Sequence, residues 1–163
     1  MSTDATGPVA RNKQAGSNAE NACAARYPPL HLVPDEVSEH YDAILTSVLY
    51  PRPDLRFVSV CVLEPGTRVE IKSAVVRLSS GRRGKFYLRP NQHKFLVEAN
   101  AAYLFAVCEG ADTERNIVAA KIVPARTLDY FLDERRWLDG GEGRSDYAQI
   151  AWSRIFDPTE VER

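Results

Sequence analysis

Arg68-Val69-Glu70-Ile71-Lys72-Ser73 opens an apolar, β-branched run that continues to Leu78, and its reading decides the fold. Residues two apart on a strand project from one face, so the Glu70 carboxylate and the Lys72 ammonium share a side. One group can hold a hard divalent cation while the other steadies a water or a phosphate beside it. Upstream, Phe57-Val58-Ser59-Val60-Cys61-Val62-Leu63 and the turn Glu64-Pro65-Gly66-Thr67 predict a hairpin with this strand. Downstream, Ser79-Ser80-Gly81-Arg82-Arg83-Gly84 is a basic loop, 85–88 a short strand, and Pro90 opens a helix carrying Gln92, His93, Phe95 and Leu96. Tyr103-Leu104-Phe105-Ala106-Val107 and 116–123 read as two more strands. Pro124 opens a short helix, and Ser145 caps a last one running to Trp152 or Ile155. Val37, Tyr41, Ile44, Leu45 and Val48 fall on one helical face, predicting a first helix over 35–49 that Pro51 and Pro53 end. This order gives an α/β fold with a mixed central sheet flanked by helices.

The 163 residues suit one folded domain over 28–163. Residues 1–27, rich in Ala, Ser, Asn, Gly and Thr, have too little aliphatic bulk to offset ordering entropy and predict a disordered tail. The net charge of −1 gives no global pull toward nucleic acid, but its distribution is uneven. Between Arg68 and Lys94, eight Lys and Arg against Glu70 alone make +7, which leaves −8 for the rest of a chain of total −1. A basic stripe on a mildly acidic body fits a directed phosphate-binding face, and a solvated strand edge and loop is the plain alternative. Cys23, Cys61 and Cys108 are too far apart for a C-x-x-C, which argues for a reducing compartment. With no apolar signal core and no membrane-length apolar run, a soluble cytoplasmic protein is expected. No His pair has metal-ligand spacing, and no glycine-rich phosphate loop or nucleophile elbow appears.

Glu70-Ile71-Lys72, then Asn91-Gln92-His93-Lys94-Phe95-Leu96, then Tyr103 through Val107, resembles the PD-(D/E)xK, or restriction-endonuclease-like, superfamily, over about residues 35–123. Type II restriction enzymes and archaeal Holliday-junction resolvases belong to that superfamily. Its mark is an acid on one strand, (D/E)-x-K on the next, then a helix and a further strand. The resemblance implies a Mg²⁺- or Mn²⁺-dependent endonuclease cutting DNA, with Lys72 steadying water or phosphate charge and Gln92 assisting from the helix. It also suggests a homodimer. Arg82, Arg83, Lys85, Arg89 and His93 are the candidates for contact with the nucleic-acid backbone. A catalytically degenerate relative that binds nucleic acid, and an accessory module that binds a protein partner, are the alternatives.

The first acid is the point of tension. Pro53-Asp54 spells the family dipeptide, so Asp54 and Glu70 are the expected metal ligands. With 64–67 as a four-residue loop, however, Cys61 faces Glu70 and Ser59 faces Lys72, leaving Asp54 roughly 15 Å away along an extended chain. Either a bulge brings Asp54 round, or Glu39 on the predicted first helix supplies the second carboxylate.

Overall fold

The computed structural model describes residues 8–49, 56–57, 63–110, 115–130, 132 and 137–163. In chain order its elements are α1 (Pro8–Arg26), β1 (Leu30–Leu32), β2 (Ala43–Leu45), β3 (Arg56–Phe57), β4 (Arg68–Val75), β5 (Lys85–Leu88), α2 (Pro90–Glu98), β6 (Ala102–Glu109), β7 (Asn116–Pro124), α3 (Ala125–Asp129), β8 (Ala148–Ala151) and α4 (Pro158–Val161). The uninterrupted apolar run of β6 sits in the middle of the main sheet, where both faces are covered. That sheet has the order β1-β2-β4-β6-β7-β3, and β5 and β8 form a separate two-stranded ribbon. β4 runs parallel to β6 through the crossover made by β5 and α2, while β2–β4 and β6–β7 are antiparallel. The chain is therefore a single α/β domain with a mixed sheet.

Alternation along β6 divides the core. Ala102, Leu104, Ala106 and Cys108 pack with Val69, Ile71, Leu45 and the Ala19 and Cys23 face of α1. Tyr103, Phe105 and Val107 pack on the opposite side with Phe86, Leu96, Leu128 and Trp152. Glu70 and Lys72, offset by one from Val69 and Ile71, therefore emerge on the α2 side of the sheet.

Strands β4 to β7 and helix α2 stand where the sequence places them. Three other expectations are corrected. Within the stretch expected as a disordered tail, residues 8–26 form α1, and Ala19, Cys23 and then Tyr27, just past its end, are buried at four-residue intervals. Six alanines in 8–26 supply helix propensity, and their small side chains let the helix lie close on the sheet. The helix expected over 35–49 is replaced by turns and the short strand β2: Val37 is 69% exposed, whereas Ala43 and Leu45 are buried on one side of a strand. The last predicted helix is instead β8, paired with β5, followed by a 3-10 turn at Trp152–Arg154 and the short α4. Ala148 and Ile150 point inward at a period of two, which outweighs the helical start signal at Ser145.

The hairpin partner of β4 is also different. Its antiparallel neighbour is β2, with Ala43 opposite Val69 and Ile44 opposite Arg68. Leu63 bridges Leu49, and Arg56–Phe57 pairs in parallel with β7. Ser59 and Cys61 lie outside the described residues.

Candidate active site

Continuing the β2–β4 register by one residue sets Asp42 opposite Glu70. Two bonds hold Asp42 there: its N–H donates to the Val69 carbonyl at 3.0 Å, and its Oδ2 accepts from the Ile71 N–H at 2.8 Å. The family geometry asks for an acid across from the E-x-K strand, and Asp42 meets it from the position just before β2. Asp54 lies outside the described residues.

Glu70 is only 3% exposed. Lys72 donates to its Oε1 at 2.5 Å, while its Oε2 is buried with no hydrogen-bond partner. Asp42 and Glu70 reach each other, yet two ionised carboxylates have no proton to place between them. Burial, reinforced by the Asp42 charge, pushes the Glu70 carboxyl up to about 8, although Lys72 pulls in the other direction. Burial also raises Asp42, against the Ile71 N–H bond and Lys72. A third acid, Glu20 on α1, is pushed up to about 7 by burial and then by Asp42 and Asp35. A buried carboxyl with an orphan oxygen and a second carboxyl beside it calls for either a proton or a cation.

A divalent ion fits that donor set. Hard oxygen ligands suit Mg²⁺ or Mn²⁺, which are usually held by one or two carboxylates plus water and phosphate. No group of three or more His, Cys, Asp or Glu side chains among the described residues is drawn together tightly enough to hold a metal. The fit therefore rests on the Asp42–Glu70 pair, with Glu20 near enough for the Asp42 charge to raise its carboxyl.

Glu70 borders a cleft of about 730 Å³ whose lining also includes Lys72, Gln92, Arg89, Tyr87 and Arg144. Gln92 stands in the first turn of α2, and its Oε1 is likewise buried without a partner. Arg144 arrives on the loop 140–146, held shut at its base by paired N–H to carbonyl bonds between Leu138 and Tyr147. Gly140 is required in that loop, because a Cβ there would lie 2.2 Å from the Ser145 carbonyl oxygen.

Glu70, Lys72, Gln92 and Arg89 thus meet in one cleft, as their sequence positions suggest. Others do not. Glu39 sits on an exposed loop beside His40 and lines a neighbouring cleft rather than joining Glu70. His93 is buried, with Nδ1 3.0 Å from the Tyr103 hydroxyl and Nε2 3.1 Å from Asp129, so it braces α2 and meets no phosphate. Arg82 and Lys85 line a second cleft of about 900 Å³. Arg83 borders it too, but its guanidinium is bound to Glu162 at 2.9 and 3.2 Å and lies 5.0 Å over the Trp152 ring. The Glu162 carboxyl is held low by that hydrogen bond. Arg83→Ala is accordingly expected to lower Tm in a thermal melt, whereas Arg82→Ala leaves Tm unchanged.

The sequence reading missed Asp42, Glu20 and Arg144. Asp42 heads the apolar trio Ala43-Ile44-Leu45, an acid-then-strand signal that a false helical stripe conceals. Glu20 adjoins Ala19 in the four-residue repeat of α1.

A mixed sheet carrying an acid on one strand and E-x-K on its neighbour, with a glutamine on the crossover helix, defines a fold of the restriction-endonuclease class. The chain belongs to the PD-(D/E)XK nuclease superfamily, whose domain matches residues 7–157 and so takes in α1. Proteins of that superfamily generally use divalent metals. Comparison with curated proteins and with solved structures yields no match. No helix among the described residues is long and apolar enough to cross a membrane.

Proposed function

We propose that the protein is a Mg²⁺- or Mn²⁺-dependent endonuclease acting on DNA. The buried Glu70 carboxyl, whose Oε2 has no hydrogen-bond partner and which interacts with Asp42, supports this reading most strongly. Asp42 and Glu70 would hold the ion. Bound there, it supplies Lewis-acid charge to a phosphate oxygen and acidifies water.

The chain's own groups do the rest. Lys72 stands at the cleft wall, where its ammonium neutralises charge developing on a phosphate or orients the attacking water. Its bond to Glu70 Oε1 fixes the ammonium in that position. The unpartnered Gln92 Oε1 is free to accept from the attacking water. Arg89 and Arg144 on the cleft rim contact flanking phosphates, which positions the strand without specifying a sequence. All of these residues come from one chain, so cutting one strand needs no second copy.

Cleavage of closed-circular plasmid and closed-circular single-stranded DNA should appear with Mg²⁺ or Mn²⁺ and vanish with EDTA. Lys72→Ala should slow it by about 10²- to 10³-fold. DNA binding without cleavage under any divalent ion would instead favour the degenerate binding protein.

A further inference from the structure

Strand β5 carries Lys85 and Tyr87 on its outward face, while Phe86 and Leu88 alternate into the core, and the exposed Arg89 follows between β5 and α2. Tyr87 is 56% exposed, a large ring left in water on a strand whose other ring is fully buried. Beside it on the ribbon stands Tyr147, with ring centroids 6.1 Å apart and planes inclined by 35°. Tyr87 is common to two clefts: the one holding Glu70 and Lys72, and the basic one bordered by Arg82 and Lys85. Among the described residues the Lys85 ammonium bonds the neutral Gln149 amide at 2.9 Å and has no ion-pair partner, and neither do Arg89 and Arg144. Among the described residues no carboxylate neutralises their positive charge.

We infer that the β5–β8 ribbon is a track for a single-stranded segment of nucleic acid, with Tyr87 and Tyr147 stacking unpaired bases as the strand passes from the basic cleft to Glu70. This deepens the nuclease reading and rests on it for the direction of the track. Cations at Lys85 and Arg89 take successive phosphates, and the ring between them takes a base face. That combination is the general solution for strand binding without sequence preference. A duplex hides its base faces in the stack, so it would engage the cations and leave the rings idle.

The test is fluorescence anisotropy in EDTA, where no cutting occurs, using a labelled DNA single strand and a duplex of the same sequence. Tyr87→Ala should weaken single-strand binding by about 5- to 100-fold and duplex binding by less than about 2-fold. Tyr87→Phe, which keeps the ring, should bind the single strand within about 2-fold of the unaltered protein. Tyr147→Ala gives an independent second reading in the same direction as Tyr87→Ala. Equal losses on both substrates, no loss on either, or a loss in Tyr87→Phe matching that in Tyr87→Ala would each overturn the track. Because no divalent ion is present, the outcome is separate from the nuclease reading, which fails only if DNA of every form survives Mg²⁺ and Mn²⁺.

Discussion

Asp42→Asn should abolish metal-dependent cleavage, with the rate falling by about 10³-fold while the protein remains folded. The amide can still accept the Ile71 N–H bond that holds the residue on β4, so the local backbone has no reason to move. What disappears is one of two anionic oxygen donors facing the same point. A single remaining carboxylate, Glu70, already shares one oxygen with Lys72. The measurement is single-turnover cleavage of labelled DNA with Mg²⁺, alongside a thermal melt to confirm folding. Glu70→Gln should give a loss of the same order. Near-normal rates in either variant would show that the pair holds no ion.

The second large effect is in stability. Glu70 and Glu20 are pushed up to about 8 and about 7, and Asp42 is raised, all mainly by burial. A carboxyl raised on folding binds its proton more tightly in the native chain than in the unfolded one. The native state therefore holds more protons between about pH 4.5 and pH 8, and stability falls as pH rises through that window. Glu70 dominates because it is the most deeply buried. The expected loss is on the order of a few kcal/mol, or roughly 5–10 °C in Tm for a domain of this size.

A divalent ion reverses the trend, since its ligands must lose their protons before they bind. Calorimetric melts of the metal-free protein should show Tm falling from pH 5 to pH 8. Mg²⁺ or Mn²⁺ should raise Tm strongly at pH 8 and little at pH 5. Glu70→Gln should flatten the metal-free profile and remove most of the metal effect. A metal-free Tm that climbs toward pH 8 would mean that the acids are stabilised as anions by the protein alone.

The parts of this centre that were legible in the sequence are those set by neighbours along the chain. Glu70 and Lys72 share a face because strands have a period of two, and Gln92 follows Pro90 into the first turn of α2. Asp42 was not legible because its place depends on which strand lies beside β4, and that choice is made by packing between distant segments. The Pro65-Gly66 turn is real, with Gly66 at φ +85°, but it brings the chain back toward β2 rather than toward a hairpin partner at 57–63. Gly66 donates to the Leu45 carbonyl, and Leu45 to that of Thr67, so the turn is bound to the end of β2. α1 escaped notice for a different reason. Its buried positions are Ala and Cys, which carry little hydrophobic signal yet suit a helix lying close against a sheet. The basic residues show the same division: their charge was legible, but Arg83 is committed to Glu162 and Trp152 through a contact with the far end of the chain.

Mn²⁺ binding measured by titration calorimetry at pH 8 decides which carboxylate sits across from Glu70. Asp42→Asn should eliminate the binding heat seen with the unaltered protein, while Asp54→Asn should bind Mn²⁺ as the unaltered protein does. Retained binding in Asp42→Asn together with loss in Asp54→Asn would contradict the site described.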